Sequence, residues 1–308
     1  MPLFTHNLYV PPFRVIHDEA GQTCNRFWAY VNHVAWAVKH HRKVYIIFWD
    51  KSIQDYDALR KNEYVSFPFY NRRWIEKYGD EGLQDRIRHY WPRNKIVAKL
   101  LYLNKWLDIF HYGWSDRHID DYYPMMKDDL YPLFLPNLPI REAVDTLFAC
   151  LHEKNAFIVG VHIRRGDYKR WFNGRFYYEH NQYVKWMKQI VEIYKEKNVY
   201  FYLSSNESLP MDLYDQFNIC KKTMESASYD LYALSLCDRI IGPISTFSRW
   251  ASFMGNVPLC FLRRNMKITS DSSFSPVIDY DHFANGKEIF SLTDFYHRAM
   301  RLGIKMSL

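Results

Sequence analysis

Ala156-Phe157-Ile158-Val159-Gly160-Val161-His162-Ile163 runs directly into Arg164-Arg165-Gly166-Asp167-Tyr168. The first stretch is apolar except for one histidine, rich in β-branched types and too short for a buried helix. It therefore reads as a strand covered on both faces, as in the middle of a parallel sheet. Because side chains alternate along a strand, His162 and Arg164 should share one face and Arg165 should point to the other. Downstream, a helix is predicted over 178–197 and a strand over 199–203, ending in the polar turn Ser204-Ser205-Asn206-Glu207. A helix over 229–236, a strand over 239–241, a helix running to Met254 and a last strand over 257–262 complete the alternation.

Upstream of the same stretch the pattern recurs. An extended run, Phe13 to Ile16, leads through a polar turn into a helical pattern over 25–41, with Phe27, Val31, Val34, Ala35 and Val38 at steps of three and four. That spacing buries one helix face. A strand over 43–48 follows. Residues 52–135 have weak periodicity and read as mostly helical with irregular connections, and a helix over 140–153 leads out. Strands alternating with helices in both halves predict an α/β fold of two doubly wound Rossmann-like domains, 1–150 and 151–290, facing across a cleft. Ligands are then expected at the C-terminal strand ends. A closing helix over 289–308 is in reach of the first domain.

The chain of 308 residues is 48% hydrophobic and 18% aromatic, which excludes wholesale disorder. It carries 41 Lys and Arg against 34 Asp and Glu, a net +7, divided +2 and +5 about residue 150. No block of like charge marks a nucleic-acid arm, and a small bound anion explains the surplus as well. Five scattered cysteines form no ligand grouping and suit a reducing compartment. The N-terminal residues lack the apolar core of a secretory leader, and no apolar stretch approaches the roughly 20 residues that span a bilayer. The expectation is a cytoplasmic protein.

Two adjacent arginines leaving a core strand need an anionic partner. Arg164 beside His162 makes a clamp for a diphosphate, since guanidinium forks onto phosphate oxygens. The alternative is a structural network with carboxylates such as Asp167, the preferred reading for Arg165. Ser245-Thr246-Phe247-Ser248-Arg249-Trp250 opens a helix, so Ser245 or Thr246 should cap it, and free amides at such a start bind phosphate. Arg249 reads as a solvated side chain. Asp230 stands where a helix begins: an N-cap by spacing, or a carboxylate accepting two N–H bonds from a guanine edge. Asp120-Asp121 and Asp128-Asp129 lack D-x-D spacing and read as solvated acidic turns. Arg165-Gly166-Asp167 spells an adhesion tripeptide by chance.

Together, the segment from Val159 to Tyr168, the run from Asp230 to Asp238 and the stretch through Gly242 to Ala251 resemble the fucosyltransferase superfamily that shares an H-x-R-R-x-D motif. The likeness is nearest to the α-1,2-fucosyltransferases of glycosyltransferase family 11, over about residues 157–255. Gly21-Gln22-Thr23-Cys24-Asn25-Arg26 stands where that family has a G-G-L-G-N-Q turn; Gln22 and Cys24 replace two glycines, bringing side chains to the acceptor side. The resemblance implies a GT-B fold with acceptor contacts, including Gly21, Gln22, Asn25 and Arg26, in the N-terminal domain. GDP-fucose would be held in the C-terminal one by His162, Arg164, Arg165, Asp167, Asp230, Ser245, Thr246, Phe247 and Ser248. It implies no metal and no cofactor beyond the donor. Arg164 would stabilise the leaving phosphate, and His17, Asp18 or Glu19, after the first strand, would act as base.

The expected reaction is inverting transfer of fucose to a glycan, the 2-OH of galactose in a bacterial surface polysaccharide, with membrane association only through a membrane-borne acceptor. The alternatives are an α-1,6 or protein O-linkage, a non-catalytic GDP-sugar binder, and a nucleic-acid binder. The last is set aside, because its local aromatic-basic run Tyr168-Lys169-Arg170-Trp171-Phe172 directly follows the clamp.

Overall fold

The computed structural model describes residues 10–70, 72–118, 122–224 and 226–289. The helix expected over 289–308 lies, beyond Ile289, outside them, as does the Asp120-Asp121 pair. The chain divides into two compact units, 1–137 and 138–308.

The first unit is β1 (Phe13–Ile16), α1 (Thr23–His40), β2 (Lys43–Ile46), α2 (Asp57–Arg60), β3 (Val65–Ser66), α3 (Arg72–Tyr78), α4 (Asp80–Tyr90), α5 (Lys95–Leu107), β4 (Phe110–His111) and α6 (Lys127–Leu130). Its four strands lie in the order β3-β2-β1-β4, all parallel. Helix α1 is buried almost all round, from Cys24 through Ala37, which suits a central element rather than a surface one. It ends at His41 in the left-handed region, with Lys39 and His40 in its last turn facing the negative end of the helix. The largely helical reading of 52–135 misses β3 and β4. At two residues each, they are too short to leave a period in the sequence.

The second unit is α7 (Leu138–His152), β5 (Ala156–Ile163), α8 (His180–Ile193), β6 (Asn198–Ser205), α9 (Ala227–Ser235), β7 (Arg239–Gly242), α10 (Thr246–Gly255) and β8 (Leu259–Phe261), with parallel strands ordered β6-β5-β7-β8. Phe157, Val159, Val161 and Ile163 of β5 form a core with Tyr183, Trp186, Met187 and Ile190 of α8. The opposite face of β5 takes α9, Gly160 lying against Leu234. Helices thus cover both faces, which is why β5 is a continuous apolar run. The division falls at 137/138 rather than 150 because α7 packs on α9 and β5. Its Phe148 ring lies 6.4 Å from that of Tyr202, and its Asp145 accepts a hydrogen bond from Tyr232 Oη at 3.0 Å.

Candidate functional site

In the second sheet the chain runs from β5 to β6 on one side, then crosses back to β7 on the other. The C-terminal ends of β5 and β7 therefore form the crevice where ligands bind in open parallel sheets. His162 lies one residue before the end of β5, and Ser245 to Phe247 follow β7. A Cβ on Gly242 would sit 2.9 Å from His162 Cβ, so only glycine lets these two strand ends come this close. The His162 ring packs on Phe247 at 5.1 Å. It is 4% exposed, its Nδ1 is buried without a hydrogen-bond partner, and burial, helped by Arg164, lowers its pKa to about 3. It is a neutral imidazole, so the cationic part of the expected clamp is Arg164 alone.

Arg164 Nε contacts Asp167 Oδ1 at 2.9 Å. Asp167 is 57% exposed, and an ion pair this open contributes little, so a diphosphate can displace it. The Arg164 guanidinium lies 5.8 Å from the centre of the Tyr168 ring, and the Tyr168 hydroxyl donates to Ile244 O at 2.6 Å, tying the loop after β5 to the segment after β7. Arg165 points the other way. It bonds Glu207 at 2.5 Å, Glu179 at 2.7 Å and the Tyr178 carbonyl at 3.1 Å, the carboxylate network preferred for it.

Ser245, not Thr246, caps α10: its Oγ accepts from the Phe247 amide at 3.2 Å. The positive end of α10 thus opens beside His162. Ser248 is buried one turn in, its hydroxyl 3.5 Å from Ser245 O. Arg249 is not solvated. It is buried, donates to Tyr280 O at 2.8 Å and stacks on the Tyr280 ring at 4.3 Å, because its position on α10 faces the packed C-terminal segment.

Asp230 is not an N-cap either, since Ser226 takes that role with a 3.0 Å bond to the Tyr229 amide. Asp230 lies inside α9 and is buried. It accepts from Tyr202 Oη at 2.6 Å and contacts Lys222 Nζ at 2.9 Å. Burial raises its pKa, while Lys222, Tyr202 and Ser204 draw it back. Ser204 is the register partner of His162, so the two residues place Asp230 on the His162 face of the sheet. A cleft of about 860 Å3 opens at the end of β6, with Lys222 in its wall and Ser205, Asn206 and Glu207 along it. Sequence reasoning missed Tyr202 and Lys222. Tyr202 looks like any strand aromatic, and Lys222 sits in coil without periodicity.

The first sheet turns back at β1 in the same manner, towards β4. His17 follows β1, its ring 4.5 Å from that of Tyr112 and its Nε2 buried without a partner. Burial lowers its pKa, while the Asp18 and Asp116 carboxylates raise it. Asp18 accepts from the amides of Gly113 at 2.7 Å and Trp114 at 3.2 Å, pinning the loop after β4. Glu19 is gripped by Arg88 at 2.6 and 2.7 Å, which holds its pKa below the usual carboxylate range. Gly21 has φ +77°, which requires glycine, and Gln22 is the N-cap residue of α1. Asn25 is half-buried in the first turn, while Arg26 is buried and pairs with Asp50 after β2, a packed structural ion pair rather than an open acceptor contact. Asp128 and Asp129 lie in the first turn of α6, and among the described residues no cluster of three or more His, Cys, Asp or Glu is arranged to hold a metal. No described helix is long and apolar enough to cross a membrane.

The sequence model of glycosyl transferase family 11 matches residues 90–265, more than half of the chain. No curated protein matches it significantly. Among solved structures, the NodZ α-1,6-fucosyltransferase of Bradyrhizobium co-crystallised with GDP is 16% identical, with a TM-score of 0.50 over 83% of this chain and 96% of that one. POFUT1 in complex with GDP-fucose is 11% identical, with a TM-score of 0.51 over 80% and 95%. A mutant of Arabidopsis thaliana FUT1 in complex with GDP is 13% identical, with a TM-score of 0.51 over 92% and 78%. These likenesses bear out the expected GT-B fold.

Proposed function

The chain belongs to glycosyl transferase family 11, and from that membership we propose that it transfers L-fucose from GDP-fucose to a glycan hydroxyl, the 2-OH of a galactose in a bacterial surface polysaccharide. The observation that carries this reading is the meeting of His162, Arg164, Tyr168 and the Ser245-capped start of α10 at the turning point of the second sheet. The neighbouring folds that hold GDP or GDP-fucose support the choice of donor.

As the bond from fucose C1 to the β-phosphate oxygen breaks, negative charge grows on that phosphate. Arg164, released from Asp167, and the positive end of α10 lower its energy where it forms. With that charge met by protein groups, the reading calls for no metal ion. His162 is neutral, so it contributes a hydrogen bond rather than charge. The Asp230 carboxylate is assigned to the N1–H and N2–H edge of guanine, with Lys222 and Tyr202 keeping it in place. The acceptor hydroxyl attacks the face of the sugar opposite the leaving phosphate and inverts the anomeric centre. Its proton goes to His17, whose Nε2 carries no competing bond, whereas Asp18 and Glu19 already hold amides and Arg88. The Asp18 and Asp116 carboxylates then stabilise the imidazolium that forms.

Titration calorimetry in EDTA tests the donor half: GDP and GDP-fucose should bind, and ADP should bind at least tenfold more weakly. Equal affinity for ADP removes the role given to Asp230. Incubation with GDP-fucose and a panel of glycans, followed by linkage analysis, tests the acceptor half. An α-1,6 or peptide product replaces the 2-OH assignment, and GDP binding without any turnover assigns the chain as a binding module.

A further inference from the structure

Helix α5 carries on its outer side what a helix in water normally keeps inside. Its inner side, with Leu101 and Leu107, packs on the core formed by Val15, Leu83 and Phe110. Its outer side leaves Ile96 71%, Tyr102 70% and Trp106 64% exposed, with Leu100 at 38%. Lys95 and Lys99 are exposed as well, and positions 95, 99, 102 and 106 follow one another along a single stripe at steps of four, three and four. Between Arg86 and Leu107 the chain has six Lys and Arg and no Asp or Glu.

We propose that this stripe of α5 lies in the surface of an anionic lipid bilayer, an association made by the protein itself and separate from any contact through a membrane-borne acceptor. Three features favour lipid over other occupants. The exposed charged side chains described on α5, Lys95 and Lys99, are both basic, complementary to anionic headgroups. Tyr102 and Trp106 have an apolar body and a polar edge, the residues that settle at headgroup depth, and the long stems of Lys95 and Lys99 let their ammonium groups rise to the phosphates while the chain beneath stays apolar. Ile96 and Leu100 give the stripe an aliphatic flank that lipid tails accept and a nucleic-acid backbone does not. A second copy of the chain fits less well, because both copies would bring the same basic segment, with six Lys and Arg and no Asp or Glu, to the contact. The helix, at about 20 Å, is too short to cross a bilayer and long enough to lie along one.

Sedimentation with vesicles is the test. The protein should pellet with vesicles in which a third of the phosphatidylcholine is replaced by phosphatidylglycerol, and not with phosphatidylcholine alone, and salt should weaken the binding. Lys95→Glu with Lys99→Glu, and separately Tyr102→Ser with Trp106→Ser, should each reduce the partition coefficient about tenfold. Hydrogen exchange of the unaltered protein should show α5 protected by anionic vesicles, a readout independent of how the variants fold. Equal binding to neutral vesicles, retained binding in both double variants, or no protection of α5 overturns the proposal. So does equally tight binding of a single-stranded oligonucleotide, or a dimer that the Tyr102→Ser, Trp106→Ser variant dissolves.

Discussion

The two sheets each reverse direction at their first strand, β1 in one and β5 in the other, and each carries a histidine at that strand's C-terminal end. The surroundings of the two histidines differ in sign. His17 lies within the field of two carboxylates, Asp18 and Asp116, whereas His162 lies within the field of a guanidinium, Arg164. Both are kept neutral by burial, but a proton arriving at His17 finds compensating charge nearby and one arriving at His162 finds repulsion. One topology therefore sets a buried histidine beside carboxylates in one unit and beside a guanidinium in the other, and the proposed roles of proton acceptor and anion site rest on that difference.

The largest effect should come from removing the charge of the second unit. Arg164→Ala is expected to lower kcat/KM for fucosyl transfer by about 10²–10³, as when one donor to a developing oxyanion is lost. Arg165→Ala should cost about 1–2 kcal/mol of stability through Glu179 and Glu207 and leave turnover of the folded enzyme within a few-fold. Steady-state kinetics and thermal melting on both variants separate the two arginines. If Arg165→Ala loses the activity and Arg164→Ala the stability, the assignment of strand faces is reversed. In the first unit, His17→Gln should lower kcat about 10²-fold with GDP affinity unchanged. Its residual activity should also lose the acid limb that unaltered His17 produces as pH falls through its lowered pKa. A weaker GDP affinity in that variant would mean that His17 belongs with the donor and the two units do not divide the labour.

How far the sequence was legible follows the same division. Strands β5 and β6 are long, buried on both faces and bounded by polar turns, so their apolar runs show directly, and the faces of His162 and Arg165 follow from alternation. In the first unit β1, α1 and β2 were legible, but β3 and β4, at two residues each, leave no period, and the one-face spacing of α1 gives no sign that the helix is buried almost all round. Ser245 was legible as one of two cap residues because capping is local. Spacing leaves Asp230 open between a cap and a guanine contact, because Ser226, four residues earlier, offers the capping chemistry and the side chains Asp230 meets, Tyr202 and Lys222, come from elsewhere in the chain. Arg249 was misread because a charged side chain gives no sign of burial until the segment carrying Tyr280 folds over it.

A smaller effect is the acid sensitivity that His162 gives the second unit. Its folded pKa, about 3, lies below its ordinary 6.5, so the unfolded chain takes the proton first. The stability is complete above pH 6.5 and falls as pH drops from 6.5 towards 3, by at most about 1.4 kcal/mol per pH unit. His162→Phe should remove one proton's worth of that slope in urea titrations at a series of pH values. His33, fully buried and likewise lowered by burial, keeps its own share in the first unit. An unchanged slope would mean that His162 is reached by water in the folded chain.

The smallest expected effect contrasts the two helix starts. α10 begins at Ser245, whose hydroxyl holds the Phe247 amide, while α1 begins at Gln22, which has extended backbone and no side-chain cap bond. Ser245→Ala should cost about 1 kcal/mol, and Gln22→Ser should gain up to about the same, both read from urea midpoints. GDP affinity adds the informative half. A Ser245→Ala variant that binds GDP as before and only melts earlier would show that the hydroxyl serves the helix and that the phosphate is met by backbone. A loss of GDP affinity beyond the loss of stability would put the Ser245 hydroxyl itself on the ligand, because a cap acting only through the helix cannot cost the bound state more than it costs the fold.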